Sequence, residues 1–386
     1  MARLPMAIPA ELRALTADLP DHIIDDAFRC ATERLDRFIG SLAVETGDRL
    51  GLLPGELLDL DTLFAARGWS PAGRLAVGCL LETFELYGLA KRTESGWWLE
   101  RDGEMPPAAA LRADAQQLMP ASAPAYAVLE LAAQALPAVL RGELRGEEAL
   151  FSPATLGLWF EYFSNTNPHY APNNAIAALA MARSAPARPS VFEVGGGAGS
   201  AAEALLAELA EAGKVPVRYV FTEPQPAFLR RASRLLGSQV PAGCLLQTAR
   251  YDVNGEPSEQ GVSEGEFDVV LGVNVLHLAH ELVPALSRLR RLLRPGGVLV
   301  LGELLRPSPT AAVHLELPFA LLAEYCRPPA NDDPRERPGF ASVAGWRRAL
   351  AAAGFCEVRV LPALIERCAE IYPGFYCGAL TARAPS

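Results

Sequence analysis

Between Val191 and Leu304 the chain alternates short apolar runs with runs of helical period. VFEV at Val191–Val194, RYVF after Lys214, CLLQTARYDV before Asn254, FDVVLGV at Phe267–Val273 and VLVLGE after Gly297 have the length and β-branched content of buried strands. Between them, SAAEALLAELAEAG, PAFLRRASRLL and HELVPALSRLRRLL carry apolar residues three and four apart, the pattern of helices with one buried face. Strands and helices alternating at this length predict a parallel, doubly wound sheet, with ligands at the carboxyl ends of its strands. RPGG at Arg294–Gly297 is expected to turn the chain into the last of these strands. Upstream, Leu60 to Asp102 reads as helix, turn, helix and short hairpin. Alanine- and leucine-rich helices follow from Pro107 to Leu150, with PPAAALRAD and GELRGEE as loops. The pattern divides the chain into a mainly helical domain over 1–150 and an α/β domain over 151–386, without internal repeats.

The most informative segment is VFEVGGGAG, in which a strand runs into glycines and then directly into a helix. Gly195, Gly197 and Gly199 carry no Cβ, so backbone N–H groups there can approach a ligand closely. No Gly-Lys-Ser/Thr follows, which excludes a phosphate loop of the Walker type. Glu193 stands inside the strand end. The next β-rich run ends in Glu223, whose carboxylate has the paired acceptors that two ribose hydroxyls require; its plainer role is that of an acid at a helix N-terminus. Asp252, after the third strand, is a candidate for the adenine amino group, against a simple loop acid. Asn274 and His277 follow the fourth strand and Glu303 ends the fifth, so the histidine and the glutamate lie beyond neighbouring strand ends. A histidine with a carboxylate partner is a general base of fixed tautomer. The plainer readings are a helix-capping His277 and a Glu303 paired with Arg306.

The spelling E-x-G-x-G-x-G resembles the first motif of class I S-adenosylmethionine methyltransferases. YVFTEPQPAFL, FDVV, NVLH and LLRPGGVLVLGE resemble, in order and spacing, the methyltransferase domains embedded in polyketide synthases and their free-standing relatives. The resemblance runs from about Arg34 to Ala382 and is strongest between Phe192 and Glu303. It implies a Rossmann-like seven-stranded domain with S-adenosylmethionine as cofactor, held by Glu193, Gly195, Gly197, Gly199, Glu223, Asp252 and Asn274. It implies that Tyr170, in the stretch covering the cofactor, faces the sulfonium by cation–π attraction. It also implies that His277 and Glu303 are the dyad that deprotonates the α-carbon of a β-ketoacyl thioester. That chemistry needs no metal. The family pattern continues His-Ala-Thr where this chain has His277, Leu278 and Ala279, and has Asp where Glu223 stands. A tryptophan-rich stretch over the acyl pocket is replaced by FALLAEYCRPP, so substrate shape does not transfer. O-methylation with His277 as hydroxyl base is the alternative within enzymes. A cofactor-binding module without activity is the alternative outside them.

Other histidines fit less well: His22 in an N-terminal helical pattern, His169 near Tyr162 and Asn174 ahead of a helix, His280 facing solvent, and His314 in a helix passing over the site. The net charge of −10 argues against nucleic acid as a partner. The helix-turn-helix and hairpin of the first domain, which resembles a winged helix, is therefore expected to enclose substrate or dimerise. No apolar run reaches the length of a membrane span, and MARLPMAIPAELRALTADLP lacks a signal peptide's apolar centre. The seven cysteines are scattered, as expected for free thiols in a reducing compartment. Together these lead to an expectation of a cytoplasmic enzyme acting on a small molecule or carrier-bound acyl chain, with a homodimer among its expected states.

Overall fold

In a computed structural model, residues 7–100 and 105–386 are described; the start of the N-terminal segment at 1–6 and the end of the hairpin region at Asp102 lie outside them. The helical region begins with the long helix Asp26–Arg49, capped by the Asp25 side chain on Phe28 N, followed by helices Leu60–Arg67 and Arg74–Leu86. Strands β1 (Leu57–Leu58), β2 (Ala90–Thr93) and β3 (Gly96–Leu99) form a small antiparallel sheet in the order β1-β3-β2. This is the expected helix-turn-helix with hairpin. PPAAALRAD, expected as a loop, is instead largely the helix Ala108–Leu118: three consecutive alanines favour helix, and the prolines precede its first turn, where no N–H is needed. Helix Ala123–Leu140 is apolar enough to cross a membrane by composition, yet 61% of its most apolar window is buried, with Tyr126, Val128 and Leu136 wholly inside the helical core.

The second sheet contains β4 (Ser190–Val194), β5 (Arg218–Thr222), β6 (Leu245–Ala249), β7 (Phe267–Val273), β8 (Leu293–Leu304), β9 (Cys356–Leu361) and β10 (Cys377–Arg383). Its order is β6-β5-β4-β7-β8-β10-β9, parallel from β6 through β8, with β10 antiparallel to both neighbours. Helices cover both faces, so β4 and β7 are apolar almost throughout rather than alternating. Helix Ala171–Ser184 packs on β8, β10 and helix Ser200–Glu211, while Leu282–Leu292 and Val343–Ala352 pack together. Helix Ala171–Ser184 comes so close to β8 that a Cβ on Gly302 would stand 2.7 Å from the Ala177 methyl. The RPGG segment does not reverse the chain. It bulges from β8, whose pairing with β7 slips between Phe267 and Val269, because Pro295 has no ladder donor and Gly296 takes φ +73°.

The two apolar cores do not divide at the boundary expected from sequence. Trp159 and Tyr162 belong to the helical core, and Ile8, Leu12, Leu19 and Phe28 pack into the α/β core. The segment after β8 also bridges the two: Ala320 and Leu321 lie in the helical core, and Arg337 reaches Glu82 of helix Arg74–Leu86 at 2.7 Å. Around His314 the expected helix is absent. Two short 3-10 turns, His314–Glu316 and Phe319–Leu321, replace it, since Pro318 deprives a continuous helix of a donor.

Arg306 anchors this segment. Its guanidinium donates to Phe340 O, Ala311 O and, at 2.5 Å, to Glu316, whose Oε1 also accepts from the Tyr325 hydroxyl. Arg306 is 1% and Glu316 0% exposed, so removing one charge strands the other in the interior. Arg306→Met is therefore expected to lose about 3–5 kcal/mol of stability, read as a fall in the urea midpoint. An unchanged midpoint would show that the pair contributes nothing.

Candidate functional site

Strand register brings the sequence candidates together. Val194 of β4 pairs with Gly272 of β7, and Val273 pairs with Gly302 of β8, so the Gly195 loop, Asn274 and Glu303 emerge side by side. Asn274 N donates to Gly302 O at 2.7 Å and has φ 50°, a left-handed backbone that turns the chain sharply at the strand end. On the other side of β4, Gly196 N donates to Thr222 O, placing the glycine loop against Glu223.

The glycines serve different ends. A Cβ on Gly195 would meet Val275 Cγ2 at 2.4 Å, and one on Gly196 would meet Phe221 Cε2 at 2.2 Å. Gly199 has Ala232 and Leu235 side chains at 3.3 Å. At these three the missing side chain makes room for protein, and Gly195 and Gly199 also take a left-handed backbone. Only Gly197, at φ +56°, faces open space.

Glu223 stands where an acid ahead of a helix is expected. Its Oε2 accepts from Gly197 N at 3.0 Å and its Oε1 from Gln225 N at 2.9 Å, just ahead of helix Pro226–Leu236. Burial pushes its carboxyl up, against the two backbone bonds that lower it. Glu193 is 1% exposed, with Oε2 accepting from the Tyr219 hydroxyl at 2.8 Å. Burial pushes Glu193 up to about 8; the Tyr219 bond opposes this and the Glu223 charge adds to it. Tyr170 is half-buried between Tyr162 and Phe163, its phenol raised to about 12 by burial and partly offset by a hydrogen bond with Asn274. Asn174 donates to Asn165 Oδ1 at 2.8 Å and to Ser200 Oγ at 3.1 Å, holding the start of the glycine-loop helix. Asp252 is exposed in the loop after β6, with Oδ1 occupied by Asn254 N and Nδ2.

His277 lies in the 3-10 turn Leu276–Leu278 and is 6% exposed. Its Nδ1 is 2.7 Å from Oε2 of Glu303, which is fully buried and whose Oε1 accepts from Leu276 N at 3.1 Å. Glu303 is thus paired with His277, while Arg306 takes Glu316; the alternative ion pair is not formed. Among the described residues nothing bonds Nε2 of His277. The imidazole is walled by Phe340, at 4.6 Å between ring centroids, and by Tyr325 at 5.6 Å. Sequence reading passed over both rings. Tyr325 does sit in the segment that replaces the tryptophan-rich stretch.

The other histidines are elsewhere. His22 lies exposed in a turn, not a helix. His280 is exposed and 3.0 Å from Glu324. His314 is buried against Asp36 at 2.8 Å, in the seam with the helical region. His169 is kept neutral by burial, which lowers it to about 3, with a further push from His314. All seven cysteines are free, and burial raises the Cys326 thiol to about 12, as suits a packing residue.

Residues 192–299 match the family described as a methyltransferase domain. The chain is 28% identical over 295 residues to the polyketide synthase ThaQ of Burkholderia thailandensis, an alignment covering 72% of this chain and 13% of ThaQ. Among solved structures it resembles the CurJ carbon methyltransferase, with TM-score 0.72 and 23% identity over 97% of this chain and 96% of that one. It also resembles the trans-methyltransferase CalH, solved as a complex with SAH, with TM-score 0.61 and 20% identity over 92% of each chain. The chain spans 13% or less of the length of the first curated relatives it matches. The fold is that of the class I methyltransferases, whose methyl donor is S-adenosylmethionine.

The residues present fit that donor. Glu193 Oε1 and Asn274 Oδ1 are buried without partners, and Gly197 opens onto space beside them. Asn274 Oδ1 is an acceptor without a donor, and Glu193 Oε1 becomes one when its carboxyl ionises, which matches a ligand bearing an ammonium group.

Because Glu193 stays protonated in the fold where the unfolded chain is ionised, it costs stability progressively as pH rises from the ordinary carboxylate range toward 8. Glu193→Gln mimics the protonated acid. Without cofactor it is expected to melt above wild type at pH 8 and level with it near pH 5, measured by calorimetry. A variant that melts below wild type at pH 8 would contradict this.

Proposed function

We propose that the methyltransferase transfers a methyl group to carbon in an activated acyl acceptor, a β-ketoacyl thioester or a similar small molecule, with His277 as the base. The observation that carries this reading is the buried 2.7 Å contact between His277 Nδ1 and Glu303, which leaves Nε2 unbonded at the mouth of the crevice. A carboxylate holding Nδ1–H fixes the tautomer in which Nε2 has a lone pair, and it stabilises the imidazolium formed when that lone pair takes a proton. A carbon flanked by two carbonyls is acidic enough to give it up. Phe340 and Tyr325 exclude water from the imidazole, so the proton passes to Nε2 rather than to solvent. The resulting enolate is then held in line with the donor. S-adenosylmethionine, when bound, supplies the electrophilic methyl group. Glu193 and Asn274 would receive its ammonium, Glu223 its ribose hydroxyls, Asp252 its adenine amino group, and Tyr170 the face of its sulfonium. The likeness to the polyketide synthase ThaQ supports an acyl acceptor.

Offered a β-ketoacyl thioester in deuterated water without a methyl donor, the enzyme is expected to exchange the α-proton. His277→Ala should lose about two to four powers of ten in both exchange and turnover, at near-unchanged affinity for S-adenosylhomocysteine. A product methylated on oxygen, without exchange at carbon, would reassign His277 as a hydroxyl base.

Glu223→Gln tests the ribose contact. It should lower S-adenosylhomocysteine affinity by about 1.5–3 kcal/mol in calorimetry, as charge-assisted bonds to two hydroxyls are lost. A small fall in melting temperature should accompany it, since Gly197 N and Gln225 N lose a charged acceptor. Full affinity in the variant would remove Glu223 from the cofactor site.

A further inference from the structure

The loop that carries His277 is held by a second element remote in sequence. After the 3-10 turn the backbone runs extended from Ala279 to the helix that starts at Leu282, so its carbonyl groups have no helical partners. Arg335 meets them. Its Nη1 donates to His277 O and Ala279 O, each at 2.9 Å, and its Nη2 to His280 O at 3.2 Å. The remaining N–H groups go to Asp333, from Nε to Oδ1 at 2.9 Å and from Nη2 to Oδ2 at 2.7 Å. All five donors of the guanidinium are thereby used. Asp333 Oδ2 also accepts from Leu282 N at 3.1 Å, closing the far end of the loop. The pair is buried, with side-chain exposures of 6% and 3%. The same segment supplies Phe340, whose ring lies tilted against the imidazole itself.

We infer that Arg335, seated by Asp333, is a positioning residue for His277: it fixes the backbone under the base while Glu303 fixes the ring. Glu303 alone restrains the imidazole at Nδ1, and the ring can still swing if its Cα moves. A planar fork bonded to three carbonyls within four residues removes that freedom. Lysine, a point charge, cannot reproduce it. The inference rests on His277 being the base. The observation behind it is separate, since the hydrogen bonds go to backbone and not to substrate or cofactor.

The test compares Arg335→Met, Arg335→Lys and Asp333→Asn in the full chain, with acetoacetyl thioester as probe. A displacement of the base by about 1 Å costs on the order of a hundredfold. Arg335→Met should therefore lose about that much in α-proton exchange and kcat, with S-adenosylhomocysteine affinity within about twofold of wild type. Arg335→Lys should fall between the two, and Asp333→Asn should lose less, in the same direction. In a His277→Ala background the added Arg335→Met should change the residual rate by less than about twofold, because the two residues act as one unit. Amide hydrogen exchange over residues 276–282 should accelerate at least about tenfold in Arg335→Met while the β4 and β5 peptides keep their protection. A hundredfold loss in both backgrounds, or unchanged protection of 276–282, would overturn the proposal. If the wild type itself exchanges no α-proton, the reading of His277 as a carbon base fails, and the protection of 276–282 still decides whether Arg335 holds the loop.

Discussion

A carboxylate with no exposure to solvent, Glu303, faces an imidazole at 2.7 Å, and much of the surrounding structure exists to make that contact tolerable. An isolated buried carboxylate is costly, so each of its oxygens needs a donor. The ring takes one and Leu276 N the other. Both donors come from a single turn that can lie there only because β7 and β8 run parallel in a register that ends Val273 beside Gly302. The left-handed Asn274 then swings the chain back across the end of β8. Slippage by one residue would turn Glu303 to the opposite face of the sheet and leave its charge without a partner. The doubly wound fold therefore sets the tautomer of one histidine.

The cofactor side follows an opposite electrostatic logic. Glu193 and Glu223 end neighbouring strands, and each disfavours charge on the other. The more deeply buried Glu193 gives way and stays protonated, while Glu223 is supported by two backbone N–H groups. Beside them, Gly197 offers open space and two acceptors await donors. If the methyl donor's ammonium binds here, as proposed, it would relieve these together and favour ionisation of Glu193.

Most of the α/β domain was legible because both signals were local. Apolar runs such as FDVVLGV have strand length, and their alternation with amphipathic helices specifies a parallel sheet. The contact between His277 and Glu303 was legible for the same reason, since one-dimensional order places both beyond adjacent strand ends. Long-range packing was not legible. Gly195 reads as ligand-facing, yet a Cβ there would meet Val275, and nothing in the sequence ties position 195 to 275. PPAAALRAD reads as a loop, yet its three consecutive alanines carry it into helix. The segment after Glu303 read as a helix, but its geometry depends on Arg306 and Glu316, a buried pair whose partners are visible only in three dimensions. Phe340 was missed for that reason too: it lies 63 positions from His277 in sequence and 4.6 Å away in space.

The proposed proton transfer turns on the protonation of one ring, and nitrogen-15 NMR of histidine-labelled enzyme bound to S-adenosylhomocysteine reads it directly. His277 is predicted to appear at neutral pH with its proton on Nδ1, hydrogen-bonded to Glu303, and with an unprotonated Nε2, a pattern that Glu303→Gln should weaken. A ring carrying its proton on Nε2 in the wild type would contradict the account, because no lone pair would then face the substrate.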